Sequence, residues 1–294
     1  MPTLKEIKGR ISSVKSTLKI TSAMKLVSSA KLRKAQKAIE AMRPYEEQLQ
    51  RMLLKVQGAP AAGCGDFSAA TIKADAAENS PASRLPQAIV AIASNSSLCG
   101  GFNANAIAKV REVRKAGDVV YSIGRKMADA MRKEGFTSPD DYSHLAEHPA
   151  YAPAAALVEK LCAEVEAGRY SQVVLVYNHF VSTAKQVPTS EPLLGEVCHS
   201  ERSEESVSDQ EDIIIEPSRK ALIASLEPKL LKLKLYAALL DSSAAEHAAR
   251  TVAMQTATDN GENLLSELTL QYNKGRQQKI TSEILDLAGG QAQE

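Results

Sequence analysis

Residues 230–272 read LLKLKLYAALLDSSAAEHAARTVAMQTATDNGENLLSELTLQY. Leu230, Leu233, Ala237, Leu240, Ala244, His247, Thr251, Met254, Thr258, Gly261, Leu265, Leu268 and Tyr272 recur in alternating steps of three and four. These are the a and d positions of a heptad, and a helix with such a seam needs a partner. Small and polar residues fill its middle. Ala237, Ala244, Thr251, Thr258 and Gly261 let two backbones approach closely, at a cost in buried area per turn. His247 has no second His, Cys or acid at ligand spacing, which favours a packed histidine over a ligand. The helix is expected to begin after Glu216-Pro217-Ser218, to outlast its seam at Tyr272, and to stop near Ala288 at Gly289-Gly290.

The partner is at the other end of the chain. Residues 2–57 read as one helix, with apolar residues at Leu4, Ile7, Ile11, Val14 and Leu18 in the same three-four alternation. The phase is then read as slipping by three, resuming from Ala35 through Ala38, Met42, Tyr45, Leu49, Met52 and Val56, which implies local overwinding. Pro44 predicts a kink. About 55 residues at ~1.5 Å each make roughly 80 Å, too long for a globular core. If the residues between the two helices form a domain at one end, the helices run antiparallel and the shorter can cover the longer only as far as Tyr272. Residues 273–288 would then project alone, with Ile280, Ile284, Leu285 and Leu287 lacking a partner.

The texture between the helices is different. Residues 87–94 predict a buried strand, 95–103 a turn containing Gly100-Gly101, and 104–115 a helix. A strand at 119–123, helices at 125–134 and 153–167, and strands at 173–177 and 184–191 follow. That alternation predicts a small, largely parallel sheet with helices packed on it. The fold class is therefore mixed α/β: a long antiparallel coiled coil of the terminal helices with an inserted small Rossmann-like domain. Its parts are a coiled-coil helix at 1–57, a flexible connector at 58–86, the α/β domain at 87–195, an acidic Ser/Glu-rich insertion at 196–212, and the second coiled-coil helix at 213–294.

Composition agrees with long helices. The 294 residues are 44% hydrophobic and only 4% aromatic, with no Trp, closer to a helical shaft than to a pocket-rich enzyme. No apolar run approaches the ~18 residues that cross a bilayer, and the first residues lack the apolar core of a secretory signal, so a cytoplasmic location without membrane insertion is expected. Cys64, Cys99, Cys162 and Cys198 are scattered without CxxC spacing, so no disulfide framework or zinc site is expected. Charge is uneven along the chain. Residues 1–55 carry 13 Lys or Arg against 4 acids, a net of +9, and residues 196–216 a net of −7. A basic helix implies an acidic partner surface.

Two segments mimic catalytic motifs. The strand, Gly-Gly turn and helix at 88–110 resemble a nucleotide-binding entry but lack GxGxxG and the Walker lysine, which favours a tight packing turn. His144-Leu-Ala-Glu147-His148 has the HxxEH spacing of certain zinc peptidases, but Pro139 and Pro149 flank it, so a solvated loop is expected.

The terminal motifs carry a resemblance. Lys5-Glu6-Ile7, Lys19 through Val27, Lys31-Leu32-Arg33-Lys34 and Arg43-Pro44-Tyr45 resemble the gamma subunit of the F-type ATP synthase. So do Ala248 through Met254, Ala257-Thr258-Asp259-Asn260-Gly261, Tyr272-Asn273-Lys274 and Ile280-Thr281-Ser282-Glu283, together with Leu98 through Asn103 in the middle. The resemblance implies a non-catalytic central shaft turning inside a head of alpha and beta subunits. It places the α/β domain at the foot, beside the epsilon subunit and the membrane c-ring, on the cytoplasmic face of the inner membrane. It requires no cofactor. It also implies that Met24, Lys25, Arg33 and Arg250 meet the beta subunits, that Arg276, Gln277 and Thr281 meet catch loops of the head, and that Ile215 and Glu216 lie near the ring and epsilon.

Some residues depart from the family pattern. Ile213 and Ile215 stand where aromatic residues are usual, and Gly290-Gln291 replaces a terminal Gly-Ala. Residues 197–206 match nothing expected of the family. The redox-sensitive dithiol of chloroplast relatives is not expected either, since Cys198 stands alone. An enzyme is disfavoured because no nucleophile, acid–base pair or phosphate loop shares a plausible pocket. The alternatives are a non-rotary coiled-coil tether, which would not need a tip outlasting its seam, and a basic-helix nucleic-acid binder, which would want stacking aromatics or a short dimeric basic region. Long surface insertions cost little in closure entropy. Deleting 198–211 is therefore expected to leave assembly and ATP-driven ion pumping in membrane vesicles unchanged, whereas loss of pumping with the head still attached would assign the segment a coupling role.

Overall fold

A computed structural model describes residues 3–57, 85–194 and 218–290, with the side chains of 57 and 286–290 excepted. Its elements are α1 (Leu4–Gln57), β1 (Ala88–Ile92), α2 (Phe102–Val113), β2 (Val119–Ile123), α3 (Arg125–Lys133), α4 (Ser143–Glu147), α5 (Tyr151–Glu166), β3 (Val173–Phe180), β4 (Gln186–Leu194) and α6 (Arg219–Gly290). The chain divides into two compact units. One holds residues 1–30 and 250–294, the other 31–249. The connector and the acidic insertion lie outside the described residues but for Leu85 and Pro86, as do Cys64, Cys198, Ile213, Ile215 and Glu216.

The larger unit is built around a four-stranded sheet of order β2-β1-β3-β4. β1 pairs parallel with both β2 and β3, while β4 runs antiparallel to β3. β1 is buried along its whole length because both faces of the sheet are covered, as its unbroken apolar run requires. On one face Ile89, Ala91 and Val120 pack with Ala106 and Val110 of α2 and Met127 and Met131 of α3. On the other, Val90, Ile123 and Leu175 pack with Leu157 and Leu161 of α5 and with Leu235, Ala238 and Leu239 of α6. Asp241 pins α6 to the end of β3, its Oδ1 accepting the Phe180 N–H at 3.1 Å. In the same unit α1 pairs antiparallel with the beginning of α6. Leu49 packs with Leu226 and Leu233, and Leu32 and Ala35 with Ala244 and Ala248.

The 95–103 turn uses its polar groups internally. Asn103 Oδ1 accepts from the Ser94 N–H at 3.0 Å and the Ser94 hydroxyl at 2.9 Å, and its amide donates to Cys99 Sγ at 3.1 Å. Asn95 Oδ1 accepts the Arg125 N–H at 3.0 Å, and Asn95 Nδ2 donates to the Ser143 carbonyl at 2.8 Å, so the turn also ties down α3 and α4. On β4, Pro188 and Pro192 share one parity and have no N–H. That edge is poor in donors for a further strand.

Four expectations need correction. The HxxEH stretch is not a loop but a short helical turn. A five-residue turn fits between the flanking prolines, with Leu145 fully buried while His144, Glu147 and His148 remain exposed. Gly289-Gly290 does not stop α6 at Ala288, since the helix includes both; glycine weakens a helix by only about 1 kcal/mol and can be carried.

The third and fourth concern α1. The helix begins at Leu4, where Thr3 and Glu6 form a reciprocal capping pair, 3.1 and 3.3 Å. Its seam never slips. The buried or half-buried positions continue from Leu18 through Thr21, Lys25, Ser28, Leu32, Ala35, Ile39, Met42, Glu46, Leu49, Leu53 and Val56, in unbroken steps of three and four. Tyr45 and Met52, read as seam residues, are 58% and 53% exposed. Glu46 and Leu53 occupy the positions beside them, and Ile39 joins the contact with α6 next to Ala38. Polar residues in the frame hid its continuity. Pro44 sits within α1 without ending it.

Gly124 joins β2 to α3 at φ +104°, and a Cβ there would lie 2.2 Å from the Ala93 carbonyl oxygen. Backbone, not a movable side chain, blocks it. Gly124→Ala is expected to destabilise the chain by on the order of 3 kcal/mol, measured by urea unfolding; an unchanged midpoint would show that the β1–α2 turn yields.

Candidate functional site

The smaller unit holds most of the expected contact residues. Its two helix segments are antiparallel and keep register along their length. Leu4 lies against Gly275, Leu18 against Gly261, and Thr21 Oγ1 is 3.1 Å from Thr258 Oγ1. As one number rises the other falls by the same amount. Gly261 suits this approach, since a Cβ there would stand 2.7 Å from Leu18 Cδ2 and the end of the leucine side chain would have to shift. Thr258 and Thr21 also bond back to their own helices, to the Met254 and Leu18 carbonyls at 2.8 and 3.1 Å, which satisfies both hydroxyls inside the seam.

Polarity is inverted over one stretch of α1. Thr21, Lys25 and Ser28 take the inward positions, while Ile20, Leu26 and Val27 are 60%, 71% and 56% exposed. Three outward apolar residues within eight positions form a stripe on a basic helix. The resemblance did not single them out. Carrying the Leu18 heptad frame forward would have placed all three outside.

The expected contact residues are distributed as follows. Met24 and Lys25 are half-buried, Lys25 because it occupies a seam position rather than a solvated face. Arg250 is 8% exposed, so only an edge of it is open to a partner. The register of Thr21 with Thr258 sets Met24 about one and a half turns of helix from Arg250, so these two form one neighbourhood. Arg33 is exposed and belongs to the larger unit. Arg276, Gln277 and Thr281 lie on α6 about 39–47 Å from Arg250 at the helical rise of ~1.5 Å per residue. They do not share a site with it. Thr281 Oγ1 donates to the Gln277 carbonyl at 2.9 Å.

From Arg276 to Leu285 every residue is exposed, including Ile280, Ile284 and Leu285. Because Leu4 still reaches Gly275, the uncovered end begins three residues later than the seam ending at Tyr272 predicts. Among the described residues no helix is long and apolar enough to cross a membrane, and no cluster of His, Cys, Asp and Glu could hold a metal ion.

The chain matches known proteins along nearly its whole length. The family model described as ATP synthase matches residues 3–292. A protein of Phocaeicola vulgatus described as an ATP synthase gamma chain is 46% identical, over 99% of both chains, and the corresponding protein of Bacteroides fragilis is 44% identical over the same shares. The chain belongs to the ATP synthase gamma-chain family. It is a non-catalytic member of the ATP synthase assembly. The fold likeness extends to a chain of the Euglena gracilis mitochondrial ATP synthase OSCP/F1/c-ring assembly, at TM-score 0.64 and 19% identity, covering 98% of this chain and 93% of that one. A chain of the rotor of the same organism's enzyme aligns at TM-score 0.61 and 18% identity.

The Leu18–Gly261 contact can be tested by a double-mutant cycle. Gly261→Val is expected to cost about 1–3 kcal/mol through overpacking, and Leu18→Ala in the same chain to restore a large part of that loss. Strict additivity in thermal unfolding would mean that the helices do not meet there.

Proposed function

We infer that this chain is the central rotating shaft of an F-type ATP synthase, coupling ion flow through a membrane rotor ring to ATP synthesis or hydrolysis in an alpha–beta head. The observation that carries the reading is the match to gamma chains over 99% of both chains. The physical features agree with it. Two long helices locked in register can transmit torque, because turning one against the other would pull apart many small contacts at once.

The partners follow from the exposed chemistry. The alpha and beta subunits surround the smaller unit, where the outward stripe Ile20, Leu26 and Val27 supplies apolar contact and the basic residues of α1 meet acidic segments of beta. Met24, Lys25, Arg33 and Arg250 belong to this zone. Arg276, Gln277 and Thr281 meet polar loops of the head, and Ile280, Ile284 and Leu285 turn in an apolar collar above them. The larger unit forms the foot, with epsilon and the c-ring as its neighbours, and Ile215 and Glu216 near them. This puts the chain at the cytoplasmic face of the inner membrane, held there peripherally through its partners. No observation favours a non-rotary tether or a nucleic-acid binder.

An ATPase head that copurifies with the tagged chain would support the assignment, and its absence under conditions that preserve the complex would refute it. In the isolated chain, amides of 276–288 are expected to exchange with deuterium much faster than those of 254–268, and to become protected in the assembled head. Equal protection in the isolated chain would mean that the tip has a partner within its own chain.

A further inference from the structure

The larger unit contains a cleft of about 820 Å3 bounded by α1, α6 and the β3–β4 hairpin. The α1 seam passes along it. Met42, Leu49 and Leu53 pack with Leu226, Leu230 and Leu233 of α6, as a heptad demands. Between Met42 and Leu49 the frame is filled by Glu46, a half-buried carboxylate where the other seam positions of α1 in this unit are apolar.

Charged and titratable groups line every wall of the cleft that holds Glu46, and Arg43, Glu47, Lys234 and Glu191 act on it directly. On α1 itself are Glu40, Arg43 and Glu47; α6 brings Lys234 and Asp241; β3 brings Tyr177 and His179; β4 brings Glu191. Most of these are already engaged. Tyr177 donates to Glu191 Oε1 at 3.2 Å, and Lys234 donates to the Pro192 carbonyl at 2.8 Å while lying 3.7 Å from Glu191 Oε2. His179 Nδ1 is 2.5 Å from Asp241 Oδ2, and Arg43 is 4.0 Å from Glu47. Among the described residues Glu46 receives a single long hydrogen bond, from Gln50 at 3.5 Å. Burial pushes its carboxyl above the ordinary value of 4.5; Arg43 and Lys234 oppose this, while Glu191 and Glu47 add to it. Asp241 is also raised by burial, but its bond to His179 and the Phe180 N–H hold it back.

We propose that Glu46 is a proton-operated latch, which seats α1 on α6 and the β3–β4 hairpin when it carries a proton and loosens the same contact when it does not. A neutral carboxyl no longer brings a charge into the seam, and it gains a donor that can be offered to an acceptor such as the Glu191 carboxylate. The direction follows from linkage. A carboxyl raised in the folded state binds its proton more tightly there than in the opened state. The stabilisation is therefore present at acidic pH and is lost as pH rises through the raised value, in the window above 4.5. Acidification would stiffen the foot, and alkalinisation would relax it, without any change in the smaller unit.

The test is hydrogen exchange of the full chain between about pH 5 and about pH 8, corrected for intrinsic rates. Protection of segment 42–53 is expected to fall about two- to threefold as pH rises. Glu46→Gln should hold it high and flat, and Glu46→Leu should do the same if the glutamine chain folds poorly. Asp241→Asn should leave the pH dependence in place. A flat wild-type profile, a pH dependence that survives Glu46→Gln and Glu46→Leu, or one abolished by Asp241→Asn alone would each overturn the proposal.

Discussion

Within each unit the structure depends on one geometric constraint: the α1 and α6 segments run in opposite directions and must keep the same two faces together over their paired length. A straight α-helix drifts against a seven-residue repeat, so a strict heptad on both helices is needed to hold the contact. The pairs Leu4–Gly275 and Leu18–Gly261 in the smaller unit, and the Leu49–Leu226 and Leu32–Ala244 groups in the larger, obey it. Insertion of a single residue in α1 would rotate everything beyond it by about 100°, exchanging seam for surface. The α/β domain is fitted to this frame, with Leu235, Ala238 and Leu239 of α6 serving as part of its core.

The seam is not uniform, and the difference follows from side-chain size. In the larger unit, leucines and methionine fill the contact at Met42, Leu49, Leu53, Leu226 and Leu233, each buried side chain contributing about 1.5–3 kcal/mol. In the smaller unit, Thr21, Ser28, Thr258 and Gly261 give a narrower, hydroxyl-lined contact that buries less apolar area and relies on close backbone approach. Packing apolar residues inward would be the stronger choice for an isolated hairpin. The chain instead turns Ile20, Leu26 and Val27 outward, which is a loss for its own stability and a gain only if something else covers them.

Much of this was legible in the sequence because the physical signals were local and redundant. The α6 seam was visible as an unbroken run of thirteen positions. The strand at Val119–Ile123 is found where its β-branched run predicts it, bounded by Gly117 and Gly124. The second half of α1 was less legible because its frame is carried partly by polar residues. Tyr45 and Met52 are apolar but face outward, and Glu46 is charged but faces inward, so hydrophobicity alone chose the wrong neighbour at each step. The 144–148 stretch failed for another reason: a proline excludes a long helix through it but permits one turn between two prolines. The exposed stripe on α1 and the cleft around Glu46 depend on which face is covered, which only the paired helices and the β3–β4 hairpin decide.

A heptad seam carries a handedness. Two helices held to seven residues per two turns wind around each other in a left-handed sense. Such a rope responds differently to the two directions of twist. Within the smaller unit, torsion that winds it further presses the seam together, where Leu18 already packs on Gly261, whereas the opposite torsion eases the strands apart and is resisted there by the Thr21–Thr258 hydroxyl contact and the thin apolar seam. The helix pair is therefore a spring with a stiff direction and a soft one, and its elastic asymmetry is written into the spacing of its smallest side chains.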